Sequence, residues 1–127
     1  MNIHGKINYL EFHSSNLGET KRILGEAFGW EFQDYGPQYV AFFGAGLDGG
    51  FSLSRKSSSA EAGAALVVFY SELLEETLCK VEAAGGKIIK PVYDFPGGRR
   101  FHFTDPAGNE STVWSDKCLQ ESLLEPK

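Results

Sequence analysis

The chain repeats itself. Leu17 recurs as Leu74, Glu19 as Glu76, Thr20 as Thr77, Ala27 as Ala84 and Gly29 as Gly86, each pair separated by the same number of positions, and Phe12 falls on Phe69 at that spacing. A fixed internal period marks two copies of one supersecondary unit, and it restricts the fold more than any local propensity does. The same order of elements can be read in both copies.

In the first copy, Lys6 to Ser14 alternates, with Tyr9, Glu11 and His13 on one side and Leu10 and Phe12 on the other, the period of a strand. Asn16 is a good N-cap, and Glu19 stands where a capping box needs its acid. Leu17, Leu24 and Phe28 then share one helical face, and Gly29 ends the helix. Trp30 to Tyr35, Tyr39 to Phe43 and Phe51 to Arg55 are predicted strands, separated by turns at Gly36-Pro37 and Gly44 to Gly50.

In the second copy, Leu66 to Ser71 is a predicted strand, Glu72 to Ala84 a helix with Leu74, Leu78 and Val81 inward, and Lys87 to Val92 a strand. Phe95 to Trp114 reads as a hairpin closed by Asp105-Pro106-Ala107-Gly108, in which Pro fixes φ, Asp can bond its own backbone and Gly relaxes the turn. The organisation is therefore a single domain of two βαβββ modules, 6–55 and 64–115. A Ser- and Ala-rich connection, 56–63, is expected to be mobile, and 116–127 is a tail in which Leu119, Leu123 and Leu124 could form an amphipathic turn.

Composition excludes several classes. A net charge of −5 argues against nucleic acid, which needs a basic face. No apolar run is long enough for a membrane span and no signal-peptide core opens the chain, so no membrane partner is expected. Two cysteines, Cys79 and Cys118, make no disulfide framework and suit a reducing cytoplasm; Cys79, within a helical pattern, is expected to pack as a small hydrophobe. Ten Phe supply a packed core or an apolar pocket.

Phe28-Gly29-Trp30 after the first helix, Ala84-Gly85-Gly86-Lys87 after the second and Asp105-Pro106-Ala107-Gly108-Asn109-Glu110 before the last strand, in this order of elements, resemble the vicinal oxygen chelate superfamily of glyoxalase I, extradiol dioxygenases and bleomycin-resistance proteins. Tyr9-Leu10-Glu11-Phe12 and the Asp-Pro-x-Gly-Asn-Glu turn look like its bacterial glyoxalase-related branch. The resemblance covers residues 6 to 115 and implies an α+β fold: two modules whose curved mixed sheets close into a cup, helices outside, often in a homodimer.

Metal-dependent members of that superfamily carry His and Glu ligands on the first and last strands of each module. Counting from the shared glycines puts the matching positions at Tyr9, Leu66 and Thr112, with the fourth within Phe51 to Ser54. None of these is His, Asp, Glu or Cys, and phenol, aliphatic and hydroxyl side chains are poor ligands for such an ion. No cofactor is therefore expected. A displaced site built from Glu11, His13, His102 and Glu110 would match no standard spacing.

The resemblance implies a cup lined by Tyr9, Glu11, Leu66, Val68, Tyr70, Thr112 and Trp114, more apolar than charged. Glu11, if desolvated there, could serve proton transfer or hold a cationic ligand; equally, it could pair with an Arg or cap backbone groups. Trp114 could stack on a planar ligand or simply close the core. Arg99 and Arg100 could bind a carboxylate or phosphate in bidentate fashion, but as neighbours on a strand they point to opposite faces and at most one can enter the cup. His102 is expected to be structural and His13 to be exposed, while His4, near the terminus, is uninformative. Gly44 to Gly50 lacks the Lys-Ser or Lys-Thr and the following helix of a phosphate cradle. No Ser-His-Asp arrangement is recognisable. Three functions follow: a metal-independent small-molecule binder; an enzyme using Glu11 or a displaced metal; a regulatory domain whose cup holds an effector.

Overall fold

The computed structural model describes residues 2–117. The expectations about Cys118 and the leucines of the tail lie outside them. Both copies of the repeat fold as the sequence order requires: β1 (Tyr9–Ser14), α1 (Leu17–Phe28), β2 (Glu31–Asp34), β3 (Tyr39–Phe43) and β4 (Asp48–Leu53), then β5 (Val67–Tyr70), α2 (Leu74–Ala83), β6 (Lys87–Phe95), β7 (Gly98–Thr104) and β8 (Glu110–Ser115). Each copy makes one four-stranded mixed sheet, ordered β1-β4-β3-β2 and β5-β8-β7-β6. The first strand of each module runs parallel to its last, and the remaining pairs are antiparallel.

The repeat extends to single hydrogen bonds. Ser14 Oγ lies 2.8 Å from Thr20 Oγ1, and Ser71 Oγ lies 2.8 Å from Thr77 Oγ1. Each serine also accepts the backbone N–H two residues on, from Asn16 and from Leu73, at 3.0 Å. The helices differ in their caps. Asn16 Oδ1 accepts from Glu19 N, whereas Leu73 has no side chain able to do so. The capping box is half made: Glu19 turns to Arg22, and Ser14 takes the N–H that Glu19 would have held. Gly29, at φ 74°, closes α1 in the left-handed conformation its missing Cβ permits.

Two apolar clusters lie between helices and sheets, one around Val40, Phe42, Phe51 and Leu24, the other around Phe101, Phe103, Leu74 and Val81. Phe28 and Phe69 touch both. Phe69 stacks on Trp30 at 5.4 Å and 7° and meets Phe28 at 4.4 Å, so the end of α1 and the strand β5 seal the two modules together.

Four local expectations are corrected. β1 starts at Tyr9, not Lys6, because its partner β4 starts at Asp48. β4 itself begins inside the glycine run expected to be a turn: Gly49 and Gly50 are strand residues whose missing side chains make room for Leu10 O, Phe42 and Tyr39. The connection 56–63 is tied to the last turn, since Ser58 N donates to Asn109 Oδ1 at 2.7 Å, Ala60 N to Glu110 Oε1 at 2.9 Å, and Glu110 N to Ser58 O at 2.7 Å. Cys79 is exposed, on the outer face of α2, rather than packed.

Candidate functional site: two sheet faces and an aromatic pocket

Alternation along each strand sends one set of side chains to the helices and the other to the opposite face. On the first sheet that face carries Tyr9, Glu11 and His13, all exposed. Tyr39 reaches them from β3: its phenol lies 2.5 Å from that of Tyr9 and donates to Glu11 Oε2 at 3.1 Å. Burial, helped by the hydrogen bonds to Tyr9 and Glu11, pushes the Tyr39 pKa well up, so it stays a donor across the ordinary pH range. Glu11 lies on the open edge strand. This chain alone does not give it the desolvation that an acid–base role would draw on.

On the second sheet the equivalent face is built by β5, β8, β7 and β6. Val68 lies in register with Thr112, and Thr112 with His102; Tyr70 lies in register with Trp114, and Trp114 with Arg100. His102 and Glu110 are buried and bonded, Nδ1 to Oε2 at 2.8 Å. The Glu110 carboxyl is held below the usual carboxylate range, first by that hydrogen bond and then by the N–H of Ala60. On its other side, His102 Nε2 lies 2.8 Å from the Tyr93 hydroxyl, which also accepts from Arg100 Nε at 2.5 Å. A continuous polar chain thus runs Glu110–His102–Tyr93–Arg100. Thr112, fully buried beside it, keeps an Oγ1 with no partner among the described residues. An unpaired buried hydroxyl costs roughly 1–3 kcal/mol.

Two cavities adjoin this face. A cavity of about 550 Å³ lies between the modules, with Leu10, Phe12, Trp30, Leu66, Val68 and Tyr70 among its lining residues. A second, of about 330 Å³, is lined by Val68, Phe95, Gly97, Arg100 and Trp114. Val68 belongs to both. Tyr70 and Phe95 each meet Trp114 in an edge-to-face arrangement, with ring centroids 5.2 and 6.2 Å apart. Tyr70 OH donates to Asp116 Oδ1 at 2.6 Å, and that bond lifts the phenol pKa to about 12.

The candidate residues therefore fall into two groups. Tyr9 and Glu11 meet each other through Tyr39, while Leu66, Val68, Tyr70 and Trp114 line the cavities and Thr112 lies buried between Val68 and His102. Neither cavity has Tyr9 or Glu11 in its wall. Sequence reasoning missed Tyr39 and Tyr93, and it set Glu110 in the turn when it is the first residue of β8. One signal was available for His102 and Glu110. Pairing Thr104 with Glu110 across the turn makes them diagonal neighbours on one face.

Register also refines the ligand count. Val68 pairs with Thr112, and Glu11, its counterpart in the repeat, pairs with Gly50. Register therefore makes Gly50 the equivalent of Thr112, one residue before the Phe51 to Ser54 window. Tyr9, Gly50, Leu66 and Thr112 offer neither imidazole nor carboxylate and do not fit a divalent cation. Glu11, His13, His102 and Glu110 do not make one cluster, and among the described residues no group of three or more His, Cys, Asp or Glu could hold a metal ion. No helix among them is long and apolar enough to cross a membrane.

Solved structures share this fold. A glyoxalase-related enzyme from Fulvimarina pelagi superposes with a TM-score of 0.73 at 17% identity, over 87% of this chain and 88% of that one. A mutant of the fosfomycin resistance protein FosX from Listeria monocytogenes, in complex with Mn(II) and a dihydroxypropylphosphonic acid, gives 0.71 at 21%, over 89% and 90%. The lactoylglutathione lyase of Agrobacterium tumefaciens gives 0.65 at 19%, over 87% and 93%. No curated protein matches the chain. The family signature spans nearly all of both modules, matching residues 6–112, and the chain belongs to the Glyoxalase/Bleomycin resistance protein/Dioxygenase superfamily.

Proposed function

We propose that the protein is a metal-independent small-molecule-binding member of its superfamily. What supports this reading is that the four positions which the resemblance matches to metal ligands, the fourth taken by strand register, hold Tyr9, Gly50, Leu66 and Thr112. Gly50 and Thr112 are the pair that strand register equates. A site without a cation to polarise its ligand holds it by shape and apolar contact, which is what the Leu66, Val68, Tyr70 and Trp114 surface supplies. The face carrying Tyr9 and Glu11 stands apart from these cavities, and a homodimer in which a second copy brings that face over them would complete the cup.

A second reading has one observation in its favour. The Glu11 carboxylate is oriented by the Tyr39 phenol, on the face that a second copy would cover. Covered, it would be the acid–base group of a metal-free lyase or isomerase.

The test is native mass spectrometry with elemental analysis of the purified protein, followed by a thermal-shift screen of aromatic, cationic and acyl compounds. Apoprotein dimers that are stabilised by a subset of these compounds are expected. Stoichiometric zinc, nickel, iron or manganese would overturn the metal-free reading, and a monomer would overturn the shared cup.

A further inference from the structure

Two arginines stand side by side on β7 with opposite fates. Arg99 points to the helix side and forms a two-pronged ion pair with Glu75 of α2. Arg100 points to the other face and lines the 330 Å³ cavity. Its Nε is held by Tyr93, and its guanidinium lies over the rings of Tyr93 and Phe95 at 5.5 and 5.2 Å. Among the described residues no carboxylate pairs with it, and neither Nη group has a hydrogen-bond partner. It is a partly buried cation in an aromatic setting, with the donor pair that binds an oxyanion in bidentate fashion left open.

We infer that this pocket takes an organic oxyanion, carboxylate or phosphate, on a flat apolar body, and the inference rests on the small-molecule-binding reading above. The oxyanion meets the two Nη groups of Arg100. The apolar body lies against Phe95, Trp114 and Val68, the remaining walls that carry side chains. Tyr93, His102 and Glu110 are positioning residues. Glu110, buried and doubly bonded, fixes the His102 ring; His102 fixes the Tyr93 hydroxyl; that hydroxyl fixes Arg100 Nε and so the plane of the guanidinium. A planar cation held on one edge and stacked on two rings loses little freedom on binding, which is where preorganised sites gain affinity. The unpaired Thr112 hydroxyl, fully buried next to His102 in register, is a second polar group on this face with unmet hydrogen-bonding capacity.

Calorimetric titration of the full chain with 1-naphthoate, 1-naphthyl phosphate and neutral 1-naphthamide tests this. At least one anion is expected to bind tenfold or more tighter than the amide. Arg100→Met is expected to abolish that difference, bringing the affinity for the anions down to that for the amide on the same variant. Tyr93→Phe, which frees Arg100 Nε without removing the charge, is expected to weaken anion binding several-fold more than amide binding. Preference for naphthoate or for naphthyl phosphate assigns the oxyanion to a carboxylate or a phosphate. Equal binding of amide and anions, or anion binding that survives Arg100→Met, overturns the proposal but leaves the binding reading standing. If Arg100→Met does not fold, Arg100→Lys is used, and undiminished preference for both anions there overturns the bidentate assignment. No binding by any of the three compounds, when other compounds stabilise the protein, also overturns it; no stabilisation by any compound removes the binding reading itself.

Discussion

Gly50 and Tyr39 share one volume. A Cβ on Gly50 would stand 2.0 Å from the Tyr39 hydroxyl, so the phenol occupies the space that a side chain on β4 would need. This position is equivalent by register to Thr112 in the second module. One module fills its position with a neighbour's ring, the other with a small hydroxyl.

Gly50→Ala therefore has to displace the Tyr39 ring. A loss of about 1–3 kcal/mol is expected in chemical denaturation, the range for overpacking a filled site. The same substitution made in a Tyr39→Ala background is expected to cost much less. Equal costs in the two backgrounds would show that the ring gives way freely.

Acid should loosen the second sheet through Glu110. Its folded pKa is depressed, so its stabilising contribution is complete above the ordinary glutamate value of about 4.5 and is lost as the pH falls through the lower, folded value. Stability measured by urea denaturation is expected to decline as the pH drops below about 5, and Glu110→Gln should flatten part of that decline while lowering stability at neutral pH. A variant with the wild-type pH slope would take Glu110 out of the acid response.

Asn109 joins three parts of the chain. Its Oδ1 accepts from Ser58 N, its Nδ2 donates to His13 O at 2.8 Å, and its own N–H goes to Asp105 Oδ1. Asn109→Ala is expected to cost about 1–2 kcal/mol and to raise hydrogen exchange at Ser58 and its neighbours. Exchange there as slow as in the wild type would mean that Glu110 alone holds the connection.

Glu11→Gln should be nearly silent for stability, within about 0.5 kcal/mol, because Glu11 is exposed. It should alter the pH profile of ligand binding or turnover if Glu11 serves as the acid–base group. An unchanged profile removes Glu11 from the site.

What could be read from the sequence was what local chemistry dictates. Asn16 and Gly29 bracket α1 because a cap acceptor and a left-handed glycine are local requirements, and Asp105 builds the turn that sets the β7–β8 register. What could not be read depended on distant partners. Gly49 and Gly50 look like loop residues until Leu10, Phe42 and Tyr39 are seen to take their space. The Ser-rich connection looks mobile until Asn109 and Glu110 reach it across about fifty positions. Cys79 falls in a helical pattern, but α2 turns it outward. His102 bonds to Glu110 two positions off in register, but its link to Arg100 runs through Tyr93, a residue with no distinguishing motif.

The twin serine–threonine pairs are not fully equivalent. Thr20 has a further tie: its hydroxyl donates to Asp105 Oδ2 at 2.9 Å, reaching from the first helix to the second module's turn. Thr77, its counterpart, bonds to no such carboxylate among the described residues: Asp48, which matches Asp105 at the repeat spacing, is the first residue of β4 and is exposed. The latch between the halves is one-sided. Replacing the Asp105 turn by a copy of the first module's turn would remove the acceptor, so in this near-symmetric chain the latch rests on a single carboxylate that only the second module supplies.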